Sequence, residues 1–396
     1  MSFLRRLPTS RLLALCVVVV AVAAGGVAVG SALAGGGPVP PKRSLPRAVH
    51  AALAAPAIPG LSGRIAFTNR LVDLSGVEGA TPLLAGASGR VWAAPGRRLR
   101  LELQSDRGDV LLVSNGRTFT LYDGSARTAY RGQLPPARAR DNGRSRETVP
   151  TLAAINQGIA RFERHASVAG PRPGSLAGRP VYTVRLSPRP RAGLLGAVEL
   201  AWDATRGVPL RIAVYARGNS QPVLELRATD IGYGAIPAST FSFTPPPGTK
   251  VTNVATGTAA RARGAHASRT AGKARPITGL AAARRAVPFA LRAPTTLQGR
   301  RLSDVQVVGR PGRRAALLSY GNDLAGLLVV EHRAGTSTAG GGRGELRLPR
   351  VDVGGASGQA LTTPLGTFVR FSRGGVEFDV VGLVPRSVAL GAARGL

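Results

Sequence analysis

Cysteine occurs once in 396 residues, methionine once and tryptophan twice. A single cysteine excludes disulfides within the chain, CxxC redox chemistry and cysteine-rich zinc sites. Aromatic residues make up only 5% and do not interleave with the arginine clusters, so the stacking platforms that single-stranded nucleic acid requires are missing. Acidic residues are scarce, 20 against 53 basic ones. None precedes Asp73, and none lies between Asp230 and Asp304. Those on strand patterns fall on the solvent-facing phase, so no pair of carboxylates can be nominated for general acid–base work. The four histidines, His50, His165, His266 and His332, are far apart, and no HExxH accompanies them, so they read as solvated surface. A GxSxG elbow and a Walker A loop are also absent. Gly340-Gly341-Gly342-Arg343-Gly344 lies between two strand patterns and reads as a hairpin loop, not as a phosphate nest. No catalytic residue, cofactor or metal site is expected, and the chain does not read as an enzyme.

Long apolar runs are missing too, with one exception. Leu12 to Ala34 is uncharged and follows Arg5, Arg6 and Arg11. At about 1.5 Å per residue it reaches roughly 35 Å, enough to cross a bilayer core. It fits an uncleaved signal anchor, or a long signal peptide cut after Ala32-Leu33-Ala34. The anchor fits better, because the run is longer than a usual secretory h-region. Both fates place the bulk of the chain outside the cytoplasmic membrane, single-pass in the first case and secreted in the second. Cys16 follows Leu15 and precedes four valines, which is not the setting of an acylated lipoprotein cysteine; it reads as buried in the span.

Lysine is replaced almost wholly by arginine, leaving Lys42, Lys250 and Lys273, and the net charge is +33. With abundant Ala, Gly and Pro this bias reflects a GC-rich coding sequence. An exported protein of this charge is still drawn to anionic headgroups, so the membrane surface is a partner and nucleic acid is not. Eleven basic residues crowd the acid-free gap between Asp230 and Asp304. Inside it, residues 255–275 have no apolar periodicity and read as a disordered basic linker. Residues 35–43, with Pro38-Val39-Pro40-Pro41, read as a stiff extended linker behind the span.

Residues 44–254 alternate apolar and polar with period two. The apolar phases are Leu99, Leu101 and Leu103; Phe119 and Leu121; Val184 and Leu186; Leu200 and Trp202; Ile212 and Val214; and Leu224 and Leu226. Such alternation marks strands with one buried and one wet face. Short turns such as Pro95-Gly96, Asn115-Gly116, Asp123-Gly124 and Arg206-Gly207 make an antiparallel meander. Two helices are expected, one near 45–55. The other carries Leu152, Ile155, Ile159 and Phe162 at helical spacing, with Thr148 as cap and Pro150 in the first turn. The economical solution is a curled sheet whose apolar face the helices cover, so the strand phases above, with Ile155 and Ile159, are the candidate lining of a ligand cavity. The phase of Leu101, Leu112 or its neighbour Leu111, Val184, Ile212 and Leu226 should face the helices. Arg100, Glu102, Arg211 and Glu225 should face water.

The run AWDATRGVPLRIAVYARG, followed by VLELRATDIGYGAIPASTFSFTPPPGTKV, resembles the closing part of the lipoprotein-localisation-factor superfamily, which also includes mycobacterial lipid-binding lipoproteins and the N-terminal domain of the sigma-E regulator RseB. The matching residues are Asp203, Pro209-Leu210-Arg211, Phe241, Phe243, Pro246 and Gly248. LPRAVHAALAAPAIPGLSGRIAFTNRL is similar to the superfamily's opening helix and first strand. The resemblance covers roughly 44–254. It implies an incomplete β-barrel lidded by helices, holding acyl chains of lipid or lipoprotein. It also implies an alternative, an RseB-like regulator that binds an anti-sigma factor or another membrane protein.

Residues 276–396 read as a small α+β domain: a helix at 279–289, strands at 302–308, 314–320, 324–332, 345–353, 367–372 and 376–384, and a closing helix at 385–396. The pattern resembles an uncharacterised C-terminal domain of membrane-tethered, anti-sigma-like proteins of Gram-positive bacteria, and implies no known chemistry. The whole chain is therefore expected to be mainly β with α: a transmembrane helix, a curled antiparallel half-barrel covered by helices, a basic linker and an α+β domain. Limited trypsin digestion should release two stable fragments by cutting within 255–275, whose composition offers little to offset ordering entropy. A single resistant core spanning that segment would count against two domains.

Overall fold

A computed structural model of the chain describes residues 37–71, 86–106, 108–134, 150–189, 193–254, 277–309, 312–321, 324–335 and 348–396. The expected span at 12–34, the basic linker at 255–275 and the glycine loop at 340–344 lie outside these residues. Among the described residues, no helix is long and apolar enough to cross a membrane. The chain forms two compact units. One falls within residues 1–187, 197–215 and 221–270, the other within 188–196, 216–220 and 271–396.

The first unit is built on a twelve-stranded sheet. β1 (Leu61–Asn69), β2 (Ala87–Ala94), β3 (Arg98–Ser105), β4 (Gly108–Asn115), β5 (Thr118–Asp123) and β6 (Thr128–Gln133) form an antiparallel meander. β7 (Ala166–Leu176), β8 (Arg179–Pro188), β9 (Leu195–Asp203), β10 (Pro209–Ala216) and β11 (Leu224–Tyr233) lie side by side in chain order. β1 pairs antiparallel with β11 and joins the two arrays. β12 (Lys250–Val254) extends the far edge by pairing parallel to β6, a departure from the all-antiparallel expectation. The order is open and ends at β12 and β7.

The expected turns fall between successive strands, held by short polar side chains. The Asn115 side-chain oxygen accepts the Arg117 and Thr118 amides, Asp123 that of Ala126, and Asp203 those of Thr205 and Arg206. Two glycines serve the sheet itself. Gly63 and Gly89 sit on adjacent strands, where a Cβ would collide with the Asp230 and Glu102 carbonyls respectively. The β1–β11 register also shifts between Arg64 and Ile65. Glycine inside a strand and a bulge beside it are how a sheet accommodates close backbone approach and bending.

α1 (Leu45–Leu53) lies on β8 and β9, where Ala48, with Leu45 and Ala52 beside it, packs with Tyr182, Val184 and Trp202. The segment before it is docked, not a free spacer: Pro40 is buried, and the Tyr182 hydroxyl donates to the Pro41 carbonyl. α2 (Leu152–Glu163) is capped by Thr151, whose hydroxyl accepts the Ala154 amide at 3.2 Å. Pro150 precedes the cap, and Thr148 is outside the described residues. α2 rests on α1 and β7. Of its expected apolar stripe, Ile155 is buried and Ile159 half-buried, but Leu152 and Phe162 are 41% and 45% exposed. Periodicity gave the stripe; this small contact covers only its middle.

Phe241 and Phe243 do not form a strand. Ala238–Phe241 is a 3-10 helix lying against β3 and β4. Arg98 stacks over the buried Phe241 ring at 5.5 Å, and Phe243 lies 5.4 Å from Tyr122. Arg100 donates to the Thr240 and Ser242 carbonyls, so it ties this segment down instead of facing open water.

In the second unit β13 (Ile277–Thr278), β15 (Arg300–Val308), β16 (Ala315–Tyr320), β17 (Leu327–Arg333), β21 (Val376–Gly382), β20 (Gly366–Arg373), β19 (Ala356–Thr363) and β18 (Arg350–Val353) line up in that order, and β14 (Thr296–Leu297) pairs with β15. α3 (Leu280–Ala286) and α4 (Arg386–Arg394) pack on one face, over a core that includes Leu318, Val329, Phe371 and Phe378. β19 was not anticipated. Its inward positions are Gly358 and Ala360, too small to mark an apolar phase, and a Cβ at 358 would crowd Phe371 and Val353.

Gly89→Ala should lower stability by about 1–3 kcal/mol, as overpacking typically does. Denaturant unfolding of the full chain measures this, and an unchanged midpoint would refute the close-approach account.

Candidate functional site

Strand register decides which candidates share a face. Gly63, Val91, Leu101, Leu112 and Leu121 form one cross-strand row. Leu61, Ala93, Leu99, Ser114 and Phe119 form the next. Ile65 is opposite Gly89, which is opposite Leu103. On the other side of β1, Phe67 is opposite Leu226, which is opposite Ile212, and Leu224 is opposite Val214. Val184 is opposite Leu200, and Tyr182 is opposite Trp202. Glu199 and Arg211 are ion-paired on the reverse of β9 and β10, which puts Leu200 and Trp202 on the face of Ile212 and Val214. All the strand candidates thus share one apolar face, and Leu112, not Leu111, belongs to it. Ile155 and Ile159 stand apart on α2, which contacts α1 and β7.

Coverage of this face is uneven. Val184 and Trp202 are buried beneath α1, and Leu101 and Leu103 are buried in a second cluster with Ile65, Ala87 and Val110. Between them Ile212, Val214, Leu224 and Leu226 are only half-buried, as are Leu99, Phe119, Leu121, Leu186 and Leu200. The face therefore carries an aliphatic strip without full cover across β10 and β11.

The reverse face is polar and interlocked. Arg185 and Arg211 both reach Glu199, at 2.9 and 2.7 Å, and Arg211 also pairs with Glu225 and the Tyr215 hydroxyl. The expectation that Arg211 and Glu225 would simply face water is corrected: their side chains are 19% and 13% exposed, because opposite charges across four strands shield one another. Burial alone would raise the Glu199 pKa, but hydrogen bonds from Arg211, Arg185 and Tyr215 outweigh it and hold the carboxylate below its usual range. Burial likewise opposes the charged Arg211, yet its bonds to Glu199, Tyr215 and Glu225 keep its pKa raised. Asp203 holds its turn through Oδ1 and accepts the Tyr233 hydroxyl at Oδ2, so it is structural.

The second unit holds groups that sequence reasoning misread. Glu331 shares a strand phase with Leu327 and Val329 and is fully buried, against the expectation that strand acids are wet. Its Oε2 accepts the Arg292 amide at 3.0 Å, while Oε1 and the Tyr320 hydroxyl have no partner among the described residues. Burial raises its pKa to about 7, partly offset by that amide and the Arg292 charge. His332 is buried, not solvated, and lies with Glu377 and Asp379, their ligand-type atoms within 4.8 Å of one another. Arg370 pairs with both carboxylates, at 3.2 and 2.6 Å, so a cation already meets their charge. A depression of about 540 Å³ opens beside them, lined by Arg350, Gln359, Arg370, Glu377 and serines. That lining is polar and unsuited to hydrocarbon, so the aliphatic sheet face is the candidate site.

No protein-family model matches the chain, and no curated protein sequence matches it. Among solved structures it is similar to MucB in complex with MucA(peri), at 15% identity over 88% of this chain and 95% of that one, with a TM-score of 0.41. It is also similar to the MucA/MucB complex of Pseudomonas aeruginosa, at 16% identity over 88% and 95%, with a TM-score of 0.39. A LolA-superfamily protein from Nitrosomonas europaea matches at 11% identity over 51% of this chain and 99% of that one, with a TM-score of 0.20.

Glu331 generates a pH dependence. A carboxyl with a higher pKa folded than unfolded keeps protons that the unfolded chain has released. Stability is therefore fully present below about pH 4.5 and falls as the pH rises to about 7. The loss is on the order of 3 kcal/mol. Glu331→Gln retains an acceptor for the Arg292 amide and should flatten this slope in unfolding titrations between pH 4.5 and 8. An unaltered slope would assign the effect elsewhere.

Proposed function

We propose that this chain is an extracytoplasmic binding protein for an apolar ligand, the acyl chains of a lipid or acylated protein, tethered to the membrane by residues 12–34. The observation that carries this reading is the continuous aliphatic face of the twelve-stranded sheet, left half-covered along Ile212, Val214, Leu224 and Leu226. Side chains of this kind offer hydrocarbon contact and no chemistry, which suits holding a ligand and not transforming it. Burial of one methylene on such a surface contributes about 0.8 kcal/mol, so a chain of several methylenes suffices for useful affinity. The net charge of +33 favours work close to anionic headgroups. The second reading is docking of a protein, an anti-sigma factor or another membrane protein, on the same chain. It follows from the RseB-like resemblance of the sequence, and MucB is a neighbour solved with MucA(peri).

A diazirine-bearing acyl probe presented to the full chain should label peptides that contain β10 and β11. Ile212→Trp and Leu226→Trp should cut that labelling several-fold while melting stays unchanged, because the added bulk enters open space. If instead both lose about 1–3 kcal/mol of stability, as in a filled core, and the parent chain is never labelled, the protein-docking reading becomes the better one.

A further inference from the structure

We propose that the indole Nε1–H of Trp202 is the polar anchor of the acyl site, donating a hydrogen bond to the carbonyl oxygen of an ester- or amide-linked acyl chain. This rests on the acyl-binding reading above and narrows its ligand to chains that retain a carbonyl.

Trp202 lies on the apolar face, on β9, the strand next to the half-covered strip. The residue is 6% exposed, and its Nε1 is buried without an acceptor among the described residues. Its surroundings explain this. Val184, Leu186, Leu200 and, from α1, Leu45 and Ala48 pack around it with apolar side chains, and the hydroxyl of Tyr182, whose ring is 6.1 Å away, donates to the Pro41 carbonyl and makes no hydrogen bond with the indole. A buried N–H that has lost its water and gained nothing is rare in native structures and calls for a partner. Indole donates and cannot accept, so that partner must carry a lone pair. A charged oxygen is disfavoured, because burying a charge without a partner is costly and Arg185 and Arg211 are engaged with Glu199 on the reverse face. A neutral carbonyl at the head of a hydrocarbon chain meets both demands: its oxygen reaches the indole, and its methylenes follow Ile212, Val214, Leu224 and Leu226.

The test compares short-chain lysophospholipids that differ only in an ester or an ether linkage, below their micelle concentrations, with the full chain held in amphipol. The protein has two tryptophans. Trp92 pairs with Ser62 and Arg100 and so belongs to the other face, and Trp92→Phe leaves Trp202 as the only reporter. The ester should bind about 2- to 10-fold more tightly than the ether, the range that one neutral hydrogen bond supplies, and should red-shift Trp202 emission where the ether does not. Trp202→Phe should bring the two affinities together. The spectral arm uses the native Trp202, so it stands even where Trp202→Phe folds poorly. Equal binding of ester and ether with identical emission shifts overturns the anchor and leaves acyl binding intact. Absence of binding by either lipid overturns both.

Discussion

The pairing of β1 with β11 is the constraint on which the first unit depends. Leu61–Asn69 is opposite residues 224–233, some 160 positions later in the chain, and this one ladder fuses two hairpin arrays into a single sheet. It sets the phase of everything else. Because side chains alternate with period two, a slip of one residue would turn Leu226 and Ile212 to the reverse face and bring Arg227 and Arg211 onto the apolar face. The bulge between Arg64 and Ile65 restores that phase beyond the shift, so that Ala228 and Ile231 both serve the apolar side.

The two faces of the sheet are stabilised in different ways. On the reverse face Arg185, Glu199, Arg211, Tyr215 and Glu225 satisfy one another across β8 to β11. Such a network fixes register more than it adds net stability, because desolvating each charge offsets much of the attraction. Farther along, the 238–249 segment covers β3 to β5 through Phe241, Phe243 and the carbonyls held by Arg100. The superfamily-like Phe-x-Phe element therefore acts as a strap on the side away from the proposed ligand. On the apolar face, in contrast, α1 packs on β8 and β9, and among the described residues Ile212, Val214, Leu224 and Leu226 on β10 and β11 stay half-buried.

The second unit has the more conventional plan, one sheet with helices on one face and a dense core. Its unusual feature is a carboxyl placed inside that core. Glu331 and Tyr320 introduce polar atoms where neighbouring positions on the same phase are Leu318, Val329 and Leu327. The opposite face carries the linked charges of Arg370, Glu377 and Asp379 around His332.

The sequence by itself determined the strands that alternate, the turns between them and the membership of the apolar face. Each depends on neighbours a few residues apart: period two in Leu99–Leu103 or Leu210–Val214, and Asn or Asp beside Gly at the hairpin ends. Only the tertiary structure decided how completely that face is covered, that Leu152 and Phe162 on α2 remain exposed, and that Phe241 lies on the reverse side. It also decided that Arg211 is shielded, that Glu331 is buried, and that the Trp202 indole has no acceptor among the described residues. The physical reason is the same throughout. Periodicity states that a residue has a face, but burial and hydrogen-bond satisfaction depend on what another part of the chain, often more than a hundred residues away, lays against it.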